Sequence, residues 1–209
     1  MYKNLKQFIY KFLIPFIRVY KYLSWRFYLI ASKEINLVIG AGPTKYIGWF
    51  STDIVTLDVT KESDFKKYFS RKKISKVLAE HVLEHLNNLE LKLMANNLYE
   101  YSTEKVNIRI AVPDGYHADN DYIEMVKPGG KGEGAFDHKN LFTIDTLSKI
   151  FVEAGFIAYP VEYWDEQGKF HQGYLNDDNG YVMRSFINDK RNSNGQPNYT
   201  SLIVDFKKI

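Results

Sequence analysis

Short apolar runs alternate with turns and helical segments over most of this chain, and this alternation restricts the fold more than any other feature. Runs typical of buried strands lie at residues 34–39, 49–54, 74–79 and 106–112. Helical apolar spacing indicates helices at residues 81–100 and 144–153, with Gly155 as a stop signal after the second. Repeated strand–helix units predict an α/β fold with a mostly parallel central sheet.

The C-terminal part has a different pattern. Residues 181–188 and 199–206 are predicted to be strands joined by a polar turn, which would form a C-terminal antiparallel hairpin. Residues 115–140 are predicted to be a long loop rich in Gly, Asp and His. Loops of that length inside a compact domain usually serve a function.

Charge divides the chain into two parts. Residues 1–33 carry seven Lys or Arg and no acid, whereas residues 34–209 carry 21 basic and 25 acidic residues. We therefore predict a basic N-terminal helical arm over 1–33 and a mildly acidic domain over 34–209. An acidic domain argues against an enzyme that wraps nucleic acid with its whole surface.

The arm has the pattern of a basic amphipathic helix. One face would carry the apolar residues Leu5, Phe12, Phe16, Val19, Leu23 and Ile30. The opposite face would carry the basic residues Lys3, Lys11, Arg18 and Lys21. Pro15 is expected to kink or divide this helix. The basic interruptions exclude a membrane span. The pattern suits an anionic membrane surface or a partner's apolar groove, and packing on the chain's own domain is the alternative.

The composition and the first turn restrict the chemistry. The chain has no Cys, which excludes thiolate nucleophiles, zinc-thiolate sites and iron–sulfur clusters. Gly40-Ala41-Gly42 follows the first strand, where glycines let the backbone approach a ligand closely. Lys45 occupies the third glycine position of a dinucleotide fingerprint, so a pyrophosphate-binding turn is disfavoured. Asp53, at the end of the next strand, can accept hydrogen bonds from ribose hydroxyls. A nucleoside-like cofactor without a diphosphate, such as S-adenosylmethionine, fits this pattern.

Several separated segments resemble class I S-adenosylmethionine-dependent methyltransferases, and more narrowly the predicted methyltransferases found with polysaccharide-biosynthesis genes. The segments are INLVIGAG at 35–42, GWFSTDI at 48–54, EHVLEHL at 80–86, RIAVPDG at 109–115 and DHK at 137–139. The resemblance runs from about residue 35 to the C-terminus. It implies a single-domain, Rossmann-like methyltransferase fold.

The resemblance also implies the cofactor contacts. Gly40, Ala41 and Gly42 would cradle the methionine part, Asp53 with the adjacent Ile54 would hold the ribose, and Asp58 would lie near the adenine. Glu80 and His81 would line the methionyl side. These eight positions are the expected cofactor site.

Methyl transfer to a sugar hydroxyl needs a base near the methyl group. The candidate catalytic residues are His138, Asp114 and His117, because they follow the predicted strand ends or lie in the long loop. Neighbouring polar and aromatic side chains are the candidate substrate contacts, namely Asp137, Lys139, Tyr116 and Tyr122. His171 is a further histidine whose spacing fixes no role.

Two patterns raise the question of a metal. His81 and His85 are spaced i, i+4, and Asp119-Asn120-Asp121 is a D-x-D sequence that can hold a divalent ion. Helix packing explains the first pattern and loop solvation the second, so a divalent metal that assists the methyl transfer is an alternative that is not favoured, and no residues are predicted as metal ligands.

We therefore expect an S-adenosylmethionine-dependent O-methyltransferase that modifies a sugar hydroxyl of a glycan or glycan precursor. It would be cytoplasmic, with residues 1–33 at a membrane surface or on a glycosyltransferase. A non-catalytic cofactor-binding scaffold in glycan assembly is one alternative, and a methyltransferase for a small metabolite or nucleic acid is another. Nucleic acid is disfavoured because Glu80-His81-Val82-Leu83 stands where an Asn/Asp-Pro-Pro-aromatic motif would be required.

Overall fold

The structure, a computed structural model, describes the backbone of residues 2–208 and the side chains of residues 12–208. The strands are β1 (Asn36–Ile39), β2 (Phe50–Ser51), β3 (Ile74–Glu80), β4 (Ser102–Pro113), β5 (Phe156–Trp164), β6 (Phe170–His171) and β7 (Ser201–Lys208). The α-helices are α1 (Tyr2–Ala31), α2 (Glu62–Phe69), α3 (Asn88–Tyr101), α4 (Asn120–Val126) and α5 (Ile144–Glu153). Single 3₁₀ turns lie at Leu83–His85, Ala135–Asp137 and Lys190–Asn192.

The seven strands form one sheet in the order β2-β1-β3-β4-β7-β5-β6. Strands β2, β1, β3 and β4 are parallel to one another. Strand β7 is antiparallel to both β4 and β5, so β5 runs in the same direction as β4. The predicted α/β class is confirmed, but the sheet is only partly parallel.

The predicted C-terminal hairpin is wrong. Residues 181–188 form no strand, and β7 lies between β4 and β5 inside the sheet instead of at its edge. The side chains of residues 201–206 are all buried, as expected for a strand with neighbours on both sides. Strand β5 was not predicted from the sequence, since Pro160 interrupts its apolar pattern.

Helix α3 begins later than its apolar spacing predicts. A capping box fixes its start, because the Asn87 side chain accepts from the Glu90 backbone and the Glu90 carboxylate accepts from the Asn87 backbone. Residues 81–87 are therefore a connection from β3 to the helix, with one 3₁₀ turn. His81 in this connection has a φ of 52°, in the left-handed region that non-glycine residues rarely adopt.

Helix α1 is continuous through Pro15, so the predicted division of the helix is not present. Its C-terminal half packs on the domain through Trp25, whose indole Nε1 donates to the Tyr68 carbonyl at 3.0 Å. On the same side, Arg18 and Lys21 donate to the carbonyls of Val55 and Ser51. The predicted apolar face points away from the domain and is exposed at Phe12, Phe16, Val19, Leu23 and Ile30.

Three residues of the predicted arm pattern, Lys3, Leu5 and Lys11, lie outside the described side chains. Over residues 2–208, no helix combines the length and apolar character that crossing a bilayer requires.

Candidate functional site

A cavity of about 420 Å³ lies beyond the carboxyl ends of β1, β2 and β3. This edge of a parallel sheet is where α/β proteins bind ligands. Six of the eight predicted cofactor residues line it, namely Gly40, Gly42, Asp53, Ile54, Asp58 and His81. Apolar side chains, including those of Leu57, Val82 and Leu86, form much of the remaining wall.

The glycines of the first turn shape one wall of this cavity. Gly40 and Gly42 have φ values of 62° and 52°, which glycine adopts without the cost that a Cβ imposes. A Cβ on Gly40 would lie 2.4 Å from Cγ2 of Val82, whereas a Cβ on Gly42 would meet no atom within 4 Å. Gly40 is thus required by packing and conformation, and Gly42 by conformation alone.

Asp53 has one carboxylate oxygen fixed and one available. Its Oδ1 accepts from the backbone N–H groups of Val55 and Thr56 at 3.0 and 3.2 Å. This turn orients the side chain at the end of β2. Among the hydrogen bonds of the described residues, none uses Oδ2, which leaves an acceptor for a hydroxyl group of a ligand.

Asp58 and Glu90 also line the first cavity, and each carboxylate forms an ion pair with a lysine. Oδ2 of Asp58 lies 2.8 Å from Nζ of Lys61, and Oε2 of Glu90 lies 3.1 Å from Nζ of Lys139. Lys139, a predicted substrate contact, is therefore paired at the rim of this cavity.

The remaining two predicted cofactor residues do not line the cavity. Ala41 donates its backbone N–H to the Thr52 carbonyl at 2.8 Å and is buried. The Glu80 carboxylate accepts from the backbone N–H groups of Met183 and Arg184 at 3.1 and 2.8 Å. Burial raises the pKa of Glu80, against the opposing effect of these bonds. Glu80 thus fixes the 183–184 segment at the end of β3.

Two predicted catalytic residues have structural roles. Asp114 is fully buried, and its two oxygens accept from the backbone N–H groups of Tyr116 and Trp164. Burial raises its pKa to about 6. Asp114 lines neither this cavity nor the second one described below, because it is used to join the end of β4 to the end of β5.

His117 likewise has no free ring nitrogen. Its Nδ1 accepts from the Asp119 backbone, so the ring's proton lies on Nε2, 3.1 Å from the Pro197 carbonyl. The ring stacks on Tyr122 at 3.9 Å, and burial lowers its pKa to about 4. Tyr122, a predicted substrate contact, is itself buried and donates to the Thr200 carbonyl. Tyr116, which is also a predicted substrate contact, is partly exposed beside Asp114.

A second cavity, of about 370 Å³, adjoins the first. The residues that matter for its chemistry are His81, Glu133, His138, Arg184, Arg191 and Tyr199. His81 lines both cavities, and of the three predicted catalytic residues His138 is the one on this wall. The sequence pattern did not indicate the two arginines or Tyr199 as site residues, because all three lie within the segment that was predicted to be a C-terminal hairpin.

Three histidines surround Glu84 where the two cavities meet. Nδ1 of His81 lies 3.4 Å and Nε2 of His138 lies 4.0 Å from Oε1 of Glu84. The rings of His85 and His138 are 4.8 Å apart, and Asp137 lies 3.3 Å from Nδ1 of His85. Burial raises the pKa of Glu84 to about 8. The prediction that His81 and His85 pack within one helix is wrong, because both residues lie in the connection before α3. In the sequence, the EHVLEHL segment was the signal for this cluster.

The D-x-D sequence has a local role. Asp119 is the N-cap of α4, where its side chain accepts from the backbone N–H of Asp121 at 2.8 Å. Over the described residues, the one group of three or more metal-ligating side chains consists of Glu84, His85 and His138.

No family model and no curated protein matches the sequence. The chain is similar in structure to a SAM dependent methyltransferase from Archaeoglobus fulgidus, at 17% identity and a TM-score of 0.45, over 95% of this chain and 97% of that one. It is also similar to the glycopeptide N-methyltransferase MtfA complexed with S-adenosyl-L-methionine, at 9% identity and a TM-score of 0.44, over 90% and 87%. LepI complexed with SAM matches at 8% identity and a TM-score of 0.48, over 86% of this chain and 44% of LepI, so the chain spans less than half of LepI. At such identities these likenesses concern the fold alone.

Proposed function

We propose that this protein is an S-adenosylmethionine-dependent methyltransferase that modifies a sugar hydroxyl of a glycan or glycan precursor. The observation that carries the proposal is the cavity formed by Gly40, Gly42 and Asp53 beyond the carboxyl ends of β1 and β2. It combines a glycine turn open to close backbone approach with an acidic acceptor suited to a ribose. A dinucleotide cofactor is disfavoured because the turn lacks the third glycine of a pyrophosphate site.

The neighbouring second cavity supports a transfer reaction. Methyl transfer from a sulfonium requires the acceptor oxygen, the methyl carbon and the sulfur to be aligned. His81 lines both cavities, so ligands in the two would approach each other beside it. The protein's main contribution would be to hold donor and acceptor in this alignment.

The lining of the second cavity favours a polar acceptor. Arg184 pairs with Glu80 and Arg191 with Asp189, and the guanidinium N–H groups outside these pairs can donate hydrogen bonds to hydroxyl or carboxylate groups. Arg191 lies over the Tyr199 ring and pairs with Asp189, which orients both side chains. These groups suit a sugar, including one that carries an acidic substituent.

Calorimetric titration with S-adenosylmethionine and, separately, with NADH tests the cofactor. We expect binding of the sulfonium only, weakened at least tenfold in Asp53→Ala. Asp178→Ala is the matched control, because Asp178 is an exposed carboxylate that pairs with Lys76 outside the cavity. Binding of NADH instead, or of neither compound, would contradict the proposal.

We also propose that the outer face of α1 binds an anionic lipid surface. Phe16, Phe27 and Ile30 belong to a row of apolar side chains that remain exposed although the helix is docked on the domain. Of the seven basic residues in 1–33, Arg18 and Lys21 donate to the domain, and the charge of the other five would favour anionic headgroups.

Co-sedimentation with vesicles tests this attachment. We expect binding to vesicles containing phosphatidylglycerol, little binding to pure phosphatidylcholine, and loss of binding in the double variant Phe16→Ser/Phe27→Ser. Leu175→Ser changes an equally exposed apolar residue elsewhere and should bind like the wild type. Equal binding of the double variant would contradict the lipid proposal.

A further inference from the structure

An acidic side chain without a partner lies buried at the boundary of the two cavities. Glu84 has no solvent exposure, and neither carboxylate oxygen has a hydrogen-bond partner among the described residues. Burying an ionised carboxylate is costly unless a positive charge or hydrogen-bond donors compensate it. No Lys or Arg of the described residues forms an ion pair with Glu84, whereas the imidazoles of His81 and His138 lie 3.4 and 4.0 Å from its Oε1.

His138, beside Glu84, is oriented as metal-bound histidines usually are. Nδ1 of His138 lies 2.6 Å from the Val126 carbonyl, and a carbonyl can only accept, so Nδ1 carries the ring's proton. Nε2 of His138, on the Glu84 side, then presents a lone pair. Nδ1 of His85 has no hydrogen-bond partner among the described residues, but the Asp137 carboxylate lies 3.3 Å away and could accept from it after a small side-chain rotation. Imidazoles bound to metals typically donate their second N–H to a carbonyl or carboxylate.

We propose that Glu84, His85 and His138 bind one divalent transition-metal ion. One ligand atom from each lies within 4.8 Å of the others, a separation that a shared ion can bridge with small side-chain rotations. Two imidazoles and one carboxylate favour Zn²⁺, Mn²⁺, Fe²⁺ or Co²⁺ over Mg²⁺ and Ca²⁺, which prefer oxygen ligands. Three protein ligands leave coordination positions open, as in catalytic metal sites.

The location of the cluster gives the ion a role that rests on the proposed function. His85 lines the first cavity and His138 the second, so the ion would lie between donor and acceptor. An acceptor hydroxyl bound to it would lose its proton to solvent water more easily. The resulting oxygen anion would form a bond to the methyl carbon while the carbon–sulfur bond breaks and its electron pair stays on sulfur. His138 would then be a metal ligand and not the general base.

Binding of Zn²⁺ to the full chain, stripped with EDTA and desalted, tests the site directly by calorimetry. Co²⁺ gives a second readout, because its visible absorption reports the ligand set. We expect one ion per chain, with affinity reduced by about 100-fold or more in Glu84→Gln, His85→Ala and His138→Ala. Asp137→Asn, which removes only the carboxylate beside His85, should lower the affinity for Zn²⁺ about tenfold. His171→Ala is the matched control, since His171 pairs with Asp165 outside the cluster.

Several results separate this proposal from the methyltransferase proposal. The site is refuted if the chain binds no Zn²⁺, or if folded Glu84→Gln and His138→Ala bind it as the wild type does. Circular dichroism establishes that each variant is folded. Zn²⁺ binding without S-adenosylmethionine binding would support the metal site and overturn the methyltransferase. Methyl transfer that persists undiminished in EDTA would overturn the ion's role in the reaction.

Discussion

Arg109 and Asp205 form a two-pronged ion pair between β4 and β7, the strands that join the parallel and antiparallel parts of the sheet. Nε and Nη2 of Arg109 lie 2.8 and 2.9 Å from the two carboxylate oxygens of Asp205. The two residues are register partners, and both side chains are largely buried. Asp177 adds a second carboxylate on the guanidinium. This pair fixes β7 in its place beside β4.

Removing Asp205 should destabilise the fold strongly. In Asp205→Ala a buried guanidinium loses its main partner, so we expect the free energy of unfolding to fall by about 3–5 kcal/mol. Urea unfolding at neutral pH measures it. Asp178→Ala, which removes an exposed pair with Lys76, should cause a much smaller loss. Equal losses in the two variants would contradict the structural role of the buried pair.

Trp25 should carry most of the energy that docks α1. It is 1% exposed and its ring contacts Phe50, Tyr68 and Phe69 at centroid distances of 4.9–5.8 Å. Trp25→Ala should lower the free energy of unfolding by about 3–5 kcal/mol. Phe27→Ala, two residues away and 73% exposed, should change it by no more than about 0.5 kcal/mol. A similar loss of stability in Phe27→Ala would contradict the docking of α1 through its Trp25 face.

Gly40 should tolerate no side chain. In Gly40→Ala the new Cβ would overlap Val82, and the left-handed backbone adds strain, so we expect a loss of at least about 2 kcal/mol. Gly195→Ala is the control, because Gly195 has a φ of 76° but open space around it. It should show the conformational cost of about 1–2 kcal/mol without the overlap. Adding Val82→Ala should recover part of the loss in Gly40→Ala but none in Gly195→Ala.

Glu162 should make stability depend on pH. It is fully buried, with Oε1 accepting from the Phe186 backbone, and burial raises its pKa from 4.5 to about 7. The pKa of Glu162 is therefore higher in the folded chain than in the unfolded chain. The protonated side chain contributes its full stabilisation of the fold below about pH 4.5, and this contribution is lost as the pH rises through about 7.

Glu162→Gln removes this titration and keeps an oxygen acceptor for Phe186. Between about pH 4.5 and 8.5, the free energy of unfolding of the wild type should therefore fall relative to that of the variant by on the order of 3 kcal/mol. Urea unfolding of both proteins across this range measures the difference. A difference that is constant with pH would show that Glu162 does not titrate as described.

The sequence itself determined the local parts of this structure. The apolar runs of β1, β3 and β4 and the apolar spacing in α5 indicate which residues face a core. Such patterns depend only on residues that are close in the sequence, so they can be recognised without the tertiary structure. The glycine turn at 40–42 and Asp53 could be assigned to a ligand site because each comes after the end of a predicted strand. Consequently six of the eight predicted cofactor residues share one cavity wall.

Only the tertiary structure decided which distant elements meet. The place of β7 depends on pairing with β4 and β5, and a buried strand has the same local pattern wherever it enters a sheet. The periodicity of α1 gave two faces, but Trp25 and its aromatic neighbours determined which one packs on the domain. Likewise, Glu84 and His138 are 54 positions apart, and they meet because the loop after α4 folds back over the end of β3. Such contacts depend on the whole fold, which local spacing does not encode.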